Sequence, residues 1–538
     1  MSTLPEWPPN ISQPELEYLT KLATTYALSH GLLYLPPHLP SGPPPPTQAP
    51  SSAIHAPLSI FPSPFPRELF ERAQRLQSVY NVLYARIAQD AEFLDRVMGA
   101  EVGAGRVDVF TGELWKIWKN LRDDGIEQEL QLGIFRSDYL LHVPDESSPM
   151  TLKQVEFNTI SSSFGALSER VSALHNHLYA STGYFNSSPH LKRENFPPNR
   201  TTAGIVDGLV AAHEAYGVKD ARILFVVQAG ERNVFDQRWL EYELLEKHSI
   251  HIIRQTLSEL SISAHLSPTR SLLISPSPQF PTNPSTTTEI STVYFRAAYT
   301  PTDFPTPQHF STRALLERSR ATKCPSIQLQ LAGGKMVQMM LTKEGVLERF
   351  LTTGGETWEA GRGFTFGEVE VREVRESWVG MWGLGDSPPA DSDIQSGISR
   401  AAANHANLVL KPQREGGGNN VYKSSIPPFL DKLPGREREA WIAMELIEPP
   451  AGVCGWLVRA GGGGGSGGGG VVKSDIVSEL GIFGWSLFGP GRDVNKNGNE
   501  RVMKTGDGGW LVRTKGRESD EGGVAVGFSV LDSVVLVD

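Results

Sequence analysis

The chain has little cysteine: Cys324 and Cys454 are the only two in 538 residues. Two thiols cannot build the disulfide framework of a small secreted domain. No apolar run approaches the roughly 18–20 residues of a membrane span. The opening Met1-Ser-Thr-Leu-Pro-Glu-Trp-Pro-Pro lacks the basic and apolar regions of a signal peptide. A reducing, cytoplasmic setting is therefore expected, with no membrane partner. Basic charge is not in excess either. There are 50 Lys and Arg against 60 Asp and Glu, a net charge of −10. Nucleic-acid binders usually carry a basic footprint, so a nucleic-acid partner is not expected. Zinc motifs of the Cys-x2-Cys or His-Glu-x2-His type are absent, as is the Gly-x4-Gly-Lys-Ser/Thr P-loop. The 13 His show no clustering at ligand spacing. Both cysteines read as structural rather than nucleophilic.

What the chain does have is length, glycine and proline. Its size leaves room for roughly two to four domains and a large core. The 53 Gly and 39 Pro concentrate in a few stretches, which suggests loop insertions. Pro36–Ser51 reads as a polyproline linker or surface loop. Pro66 opens a helical pattern with Leu69, Ala73, Leu76, Tyr80, Leu83 and Ile87 on one face. A second helix is expected at Glu113–Arg122 and a strand at Leu130–His142. From Ala203 to about Thr300 the pattern alternates: Ile223–Val227 apolar, Phe235–His248 amphipathic, Ile250–Ile253 apolar. That is a βαβ unit and hence a parallel sheet. Ser261–Glu289, rich in Ser, Pro and Thr, reads as an exposed insertion before a strand at Thr292–Phe295. Ser311–Phe350 is helix-rich. Val409–Leu410 ends one strand, and Met444–Ile447 reads as another, buried one. Gly461–Gly470 reads as a disordered linker. Gly506–Gly509 and Gly522–Gly523 read as turns.

Three stretches carry chemistry. The first is Leu410-Lys-Pro-Gln-Arg-Glu-Gly-Gly-Gly-Asn-Asn-Val-Tyr422. A lysine at a strand end followed by glycines offers charge and bare backbone N–H groups to a polyphosphate. Glu415 beside them suits Mg2+, a hard cation that takes oxygen ligands. An ordinary glycine turn with solvated charges is the bland alternative. The second is Gln154-Val-Glu-Phe-Asn-Thr-Ile-Ser-Ser-Ser-Phe-Gly165. On a strand Glu156 and Asn158 share a face, and a carboxylate beside an amide oxygen suits Mg2+. Ser161, Ser162 and Ser163 offer donors for a carboxylate. An edge strand entering a polar loop reads equally well. The third is a set of arginines in apolar strands: Arg136, Arg296 and Arg513. A buried arginine needs an anion, whether a substrate carboxylate, a phosphate or a structural partner.

With these residues in view, the chain closely resembles the eukaryotic glutathione synthetase family of the ATP-grasp superfamily. The likeness runs from about Leu132 to Asp532 in ordered blocks. They are Leu-Gly-x-Phe-Arg-Ser-Asp-Tyr at 132–139, Val-Glu-Phe-Asn-Thr-Ile-Ser-Ser-Ser-Phe-Gly at 155–165 and Glu-Arg-Asn-Val-Phe-Asp-Gln-Arg at 231–238. Tyr-Phe-Arg-Ala-Ala-Tyr at 294–299, Lys-Cys-Pro at 323–325 and Gln-Leu-Ala-Gly-Gly-Lys at 330–335 follow. The last are Lys-Pro-Gln-Arg-Glu-Gly-Gly-Gly-Asn-Asn at 411–420, Glu-Leu-Gly-Ile-Phe-Gly at 479–484, Arg-Thr-Lys at 513–515 and Gly-Gly-Val-Ala at 522–525.

The resemblance implies a ligase that joins γ-glutamylcysteine to glycine with ATP and Mg2+, through an acyl phosphate. It implies an α+β/α ATP-grasp fold, with a body from 1–203 and 306–538. An inserted parallel-sheet βαβ substrate-binding domain would span 204–305, and the family is usually homodimeric. Glu156, Asn158 and Glu415 would hold Mg2+. Lys335 and Lys411, with Pro412 beside them, would meet the phosphates beneath two lid loops, the glycine-rich 413–420 (Gln413, Arg414, Glu415, Gly416, Gly417, Gly418, Asn419 and Asn420) and 516–525. Tyr422, Met444, Glu445, Leu446, Ile447, Glu479, Lys515 and Glu521 would complete the nucleotide site. Arg136, Ile160, Ser161, Ser162, Ser163, Glu231, Arg232, Asn233, Gln237, Arg296, Ala297, Ala298, Tyr299, Arg513, Val524 and Ala525 would contact the peptide or glycine. Arg136, Arg296, Lys335 and Lys411 would stabilise charge during reaction.

Three departures stand out. Ala297-Ala298 replaces a frequent Asp-Gly, Leu446 replaces a Lys, and Glu521 replaces a frequent Asp. Rival readings are a sister ligase using β-alanine or serine, a nucleotide-binding relative without catalysis, and a βαβ protein for small anions.

Overall fold

A computed structural model describes residues 4–36, 50–128, 130–145, 147–275, 287–352, 364–385, 393–413, 419–460, 470–489, 504–519, 524, 527 and 529–538. The expected lid residues Arg414, Glu415, Gly416, Gly417 and Gly418, together with Glu521 and Ala525, lie outside them. So do most of the Pro36–Ser51 and Gly461–Gly470 stretches, and the Gly522–Gly523 turn.

Two sheets build the molecule around the site. Among the described residues the larger has 13 strands. At its centre Gln131–His142 pairs antiparallel with Val471–Phe488, which pairs antiparallel with Lys504–Gly516. Thr151–Asn158 folds back antiparallel on the other side of Gln131–His142. Further along that side, Thr322–Cys324, Thr288–Phe295, Arg222–Val226 and Ile252–Gln255 run parallel in succession. The expected βαβ unit is therefore present, with helix Val234–His248 as its crossover. Its strands continue the main sheet. The smaller sheet is antiparallel and holds Met381–Gly383, Trp441–Glu445, Leu408–Pro412 and Val421–Tyr422 in that order. It has its own small core of Leu384, Leu408, Leu410, Ile426, Leu430 and Ala443.

The patterned helices appear where periodicity put them. Arg67–Gln89 buries Ala73, Leu76, Tyr80, Leu83 and Ile87. The second helix begins earlier than expected, at Val109, because Asp108 caps it by accepting from the Thr111 N–H at 2.8 Å. Three expectations need correction. Ser261–Glu289 is not simply an exposed insertion. It contributes Ala264–Leu266 and Leu272–Ile274 as antiparallel strands at the sheet's edge, and residues 276–286 lie outside the description. Short strands of this kind carry too few apolar residues to announce themselves. Gly506–Gly509 is not a turn but the start of the Lys504–Gly516 strand. Glycine is needed there for space: a Cβ on Gly506 would stand 2.5 Å from the Trp485 Nε1. The buried strand at Met444–Ile447 ends at Glu445, and Leu446–Pro450 continues without regular structure. Among the described residues no helix is long and apolar enough to cross a membrane.

Candidate active site

A cleft of about 410 Å³ opens between the two sheets. The large sheet lines it with Arg136, Glu156, Asn158, Glu479, Arg513 and Lys515. The small sheet adds Lys411, Tyr422, Met444 and Glu445, and the following segment adds Leu446 and Ile447. Ile160, Ser161, Ser162, Ser163, Tyr299, Lys335, Asn420 and Val524 complete the expected set that reaches it. Residues more than three hundred positions apart in the chain thus share one cavity.

The backbone explains the convergence. Strand alternation puts Arg136 and Asp138 on one face. Gly481 lies opposite Asp138. A Cβ at Gly481 would come within 2.9 Å of both the Arg136 Cδ and an Asp138 oxygen, so glycine leaves room for this pair. Arg136 grips Asp138 with two nitrogens, at 2.6 and 2.7 Å. The same carboxylate accepts from the Asn158 amide at 3.0 Å and from Arg513 at 3.0 Å. Asp138 is completely buried, a structural anion that holds the Arg136, Asn158 and Arg513 side chains. Asn158 lines the cleft with its amide nitrogen turned onto Asp138. Glu479 stands directly opposite Arg513 and bonds it.

Lys335 starts the helix Lys335–Leu341. Gly333, two residues before, packs against the Thr159 side chain with no space for a Cβ, which lets this helix approach the Glu156 strand. Lys335 Nζ then lies 3.1 Å from Glu156. Gln413 joins the helix to the small sheet: its side chain accepts from the Met336 N–H at 2.8 Å and donates to the Ala440 carbonyl at 3.1 Å. Lys411 Nζ reaches across to the Val155 carbonyl at 2.8 Å. The result is strong charge coupling. Burial works against the charge on Glu156, yet Lys335, Lys411, Arg513 and Arg136 outweigh it and hold the carboxyl well below the ordinary range. Burial likewise works against the Arg513 charge, but Glu479, Asp138 and Glu156 raise its pKa and keep it cationic. Burial pushes the Glu479 carboxyl up.

The serine loop before helix Gly165–Thr182 is held differently. Its cap residue Phe164 is left-handed and makes no side-chain cap. Asp236, from helix Val234–His248, supplies the acceptor instead. It takes the N–H groups of Phe164, Ala166 and Leu167 at 2.8, 2.9 and 3.2 Å. Arg296 lies 3.6 Å from the same carboxylate and donates to the Ser162 carbonyl at 2.6 Å and to Ser163 Oγ at 2.8 Å. Around it, Ser162 Oγ, Arg296 Nε and both amide atoms of Asn233 are buried without a hydrogen-bond partner among the described residues. Such groups are costly unless something fills the site.

Other expected residues lie beside the cleft. Glu231 accepts from the Asn233 N–H at 2.7 Å and acts on Arg296 and Tyr299 through its charge. Gln237 binds Arg254 at 2.8 Å. Arg232 turns away, onto the Leu35 carbonyl and the Tyr34 ring. Pro412 ends its strand, and Asn419 is not among the lining residues. Ala297 and Ala298 are buried, with Ala298 in the left-handed region at φ 74°.

Sequence reading missed Asp138 and Asp236, although each sits inside a recognised block. Two-residue spacing from Arg136 on a strand was the available signal for Asp138. For Asp236 there was none, because its partners are backbone groups some 70 positions away.

The match to known proteins covers nearly the whole chain. The model of the eukaryotic glutathione synthase ATP-binding domain aligns with residues 13–536. The chain belongs to the eukaryotic glutathione synthase family. It is 36% identical to the glutathione synthetase of Bos taurus, over 97% of both chains. It is 35% identical to that of Homo sapiens, over 96% of both. A glutathione synthetase-like effector from Globodera pallida has a similar fold, with a TM-score of 0.69 at 22% identity over 98% of each chain. Family membership makes this chain an ATP-dependent ligase of glutathione biosynthesis. The Leu446 departure falls where the backbone N–H is already bonded to the Asn407 carbonyl at 2.9 Å.

Proposed function

We propose that the cleft joins γ-glutamylcysteine to glycine at the expense of ATP. The observation that carries this reading is the convergence of Arg136, Arg513, Lys335 and Lys411 on one cavity that also holds Glu156 and Asn158. A triphosphate and a carboxylate repel each other, and bringing them together needs cations already in place. No protein nucleophile is required, and burial pushes the Cys324 thiol well up, away from reactivity.

In this reading Lys335 and Lys411 meet the phosphates. Tyr422 and the wall Met444–Ile447 take the base. Arg136 and Arg296 hold the cysteinyl carboxylate, and Arg513 holds that of glycine. The unpartnered Ser162, Asn233 and Arg296 groups are satisfied by the dipeptide. One carboxylate oxygen takes the γ-phosphoryl and ADP leaves. The glycine amine then attacks the acyl carbon, and phosphate departs with that oxygen. Glu156 and Asn158 offer the oxygen donors that a divalent cation takes, and Glu415 would join them. Held by these residues, Mg2+ would supply positive charge to offset that of the phosphates.

The reading extends to an ATP-grasp body from 1–203 and 306–538, an inserted substrate domain at 204–305, a homodimer and a cytoplasmic enzyme. ADP release by purified protein tests the reaction, measured with ATP, Mg2+ and γ-glutamylcysteine, with and without glycine. Glycine-dependent release with a tripeptide product supports it. Turnover only with β-alanine or serine would replace it with the sister ligase, and ATP binding without turnover would replace it with a non-catalytic relative.

A further inference from the structure

The wall Leu446–Pro450 has no regular structure, so its position depends on individual ties. The Leu446 N–H bonds the Asn407 carbonyl, and the Val143 N–H bonds the Glu448 carbonyl at 2.8 Å. Arg517 donates to the Pro449 carbonyl at 3.4 Å and to the Pro450 carbonyl. The remaining tie is an imidazole: the Glu448 N–H donates to His142 Nδ1 at 2.9 Å. His142 ends the strand that carries Arg136 and Asp138. One strand therefore holds the centre of the cleft and anchors its nucleotide wall.

We propose that His142 is a positioning residue for nucleotide binding, holding the wall in place only as the neutral imidazole that accepts the Glu448 N–H. This rests on reading Met444–Ile447, which runs directly into the His142-bound Glu448, as the nucleotide wall. The donor fixes the chemistry. A backbone N–H can only donate, so Nδ1 must carry a lone pair and Nε2 the hydrogen. Protonation would set one N–H against another and release the wall. The charged groups facing the ring are Lys153 on the neighbouring strand and Glu445 and Glu448 on the wall. Burial, then Lys153, lowers the imidazole pKa, against the pull of the two glutamates. The neutral form therefore persists from alkaline pH to below the ordinary value of 6.5. The tie is lost as pH falls through the lowered value.

Two substitutions separate the acceptor from the titration. His142→Leu removes both. His142→Asn places an amide oxygen near the Nδ1 position and cannot titrate. At pH 7.5 His142→Leu is expected to raise the KM for ATP roughly five- to tenfold, the weight of one hydrogen bond. Its kcat and its KM for glycine stay within about twofold of wild type. His142→Asn keeps the wild-type KM at pH 7.5. As pH falls through the lowered imidazole pKa the wild-type KM for ATP rises further than that of His142→Asn, whose curve reports the titration of ATP itself. An unchanged KM for ATP in His142→Leu would overturn the proposal. So would an equal rise in the KM for glycine, or the full wild-type acid rise in His142→Asn. ADP binding at equilibrium, measured without turnover, separates the two readings. His142-dependent affinity without ligation would refute the ligase and leave this inference standing, whereas no ADP binding would overturn both.

Discussion

Asp532 is a buried carboxyl with no Lys or Arg partner among the described residues. It accepts from Ser63 Oγ, Thr514 Oγ1 and the Ser533 N–H, each at 2.7 Å. Burial outweighs these three donors and pushes its pKa from 3.8 up to about 7. The folded value thus exceeds the unfolded one, and folding favours the protonated acid. That contribution is fully present below the unfolded pKa and is lost as pH rises through about 7. Three units at about 1.36 kcal/mol each set a ceiling of about 4 kcal/mol. Relaxation of a buried site reduces this, so a loss of about 2 kcal/mol between pH 5 and 8 is the expected size. The perturbation is Asp532→Asn, which keeps the shape and removes the charge. Urea-unfolding stabilities of both proteins should be compared from pH 5 to 8.5. Wild type should lose stability relative to the variant as pH rises. Nearby His175, bonded to Ser533 Oγ at 2.6 Å, has a pKa lowered by burial to about 4, below this window. Parallel curves would refute the reasoning. Thr514 lies between the cleft residues Arg513 and Lys515 on one strand.

Three further outcomes are expected. Lys411→Met should lower kcat/KM for ATP about 100-fold, because this lysine lines the cleft beside Glu156, while urea unfolding falls only by the roughly 1 kcal/mol of its lost bond to the Val155 carbonyl. Asp236→Ala strips the acceptor from three backbone N–H groups and the carboxylate from Arg296. Denaturant unfolding should show a loss of about 3 kcal/mol or more. Asp138→Asn should raise the Mg2+ requirement and the KM for glycine together, each about tenfold, because one carboxylate serves both Asn158 and Arg513. Steady-state titrations of Mg2+ and glycine check this, and a change in only one of them would show that Asp138 is not a shared anchor.

The cleft was largely legible in the sequence because its residues sit in short blocks of distinctive chemistry. Lys411, Glu156 and Arg513 are each conspicuous where they stand. The helix Arg67–Gln89 was legible because its apolar spacing is regular over 23 residues. The residues that hold the site were not. Asp138, Asp236 and His142 are ordinary polar residues, and apart from the Arg136 bond to Asp138 their partners come from other strands or from backbone. Gly506 looked like a turn because sequence does not show the Trp485 ring that requires it. The edge strands Ala264–Leu266 and Leu272–Ile274 were hidden by their shortness and by the Ser- and Pro-rich chain around them.

The central claim is that ATP activates the dipeptide carboxylate for attack by glycine. Its most direct test is to label both oxygens of the cysteinyl carboxylate with oxygen-18 and follow one turnover by mass spectrometry. The account predicts one labelled oxygen in the released phosphate and the other in the new peptide bond. Unlabelled phosphate, with the second labelled oxygen released as water, would contradict it.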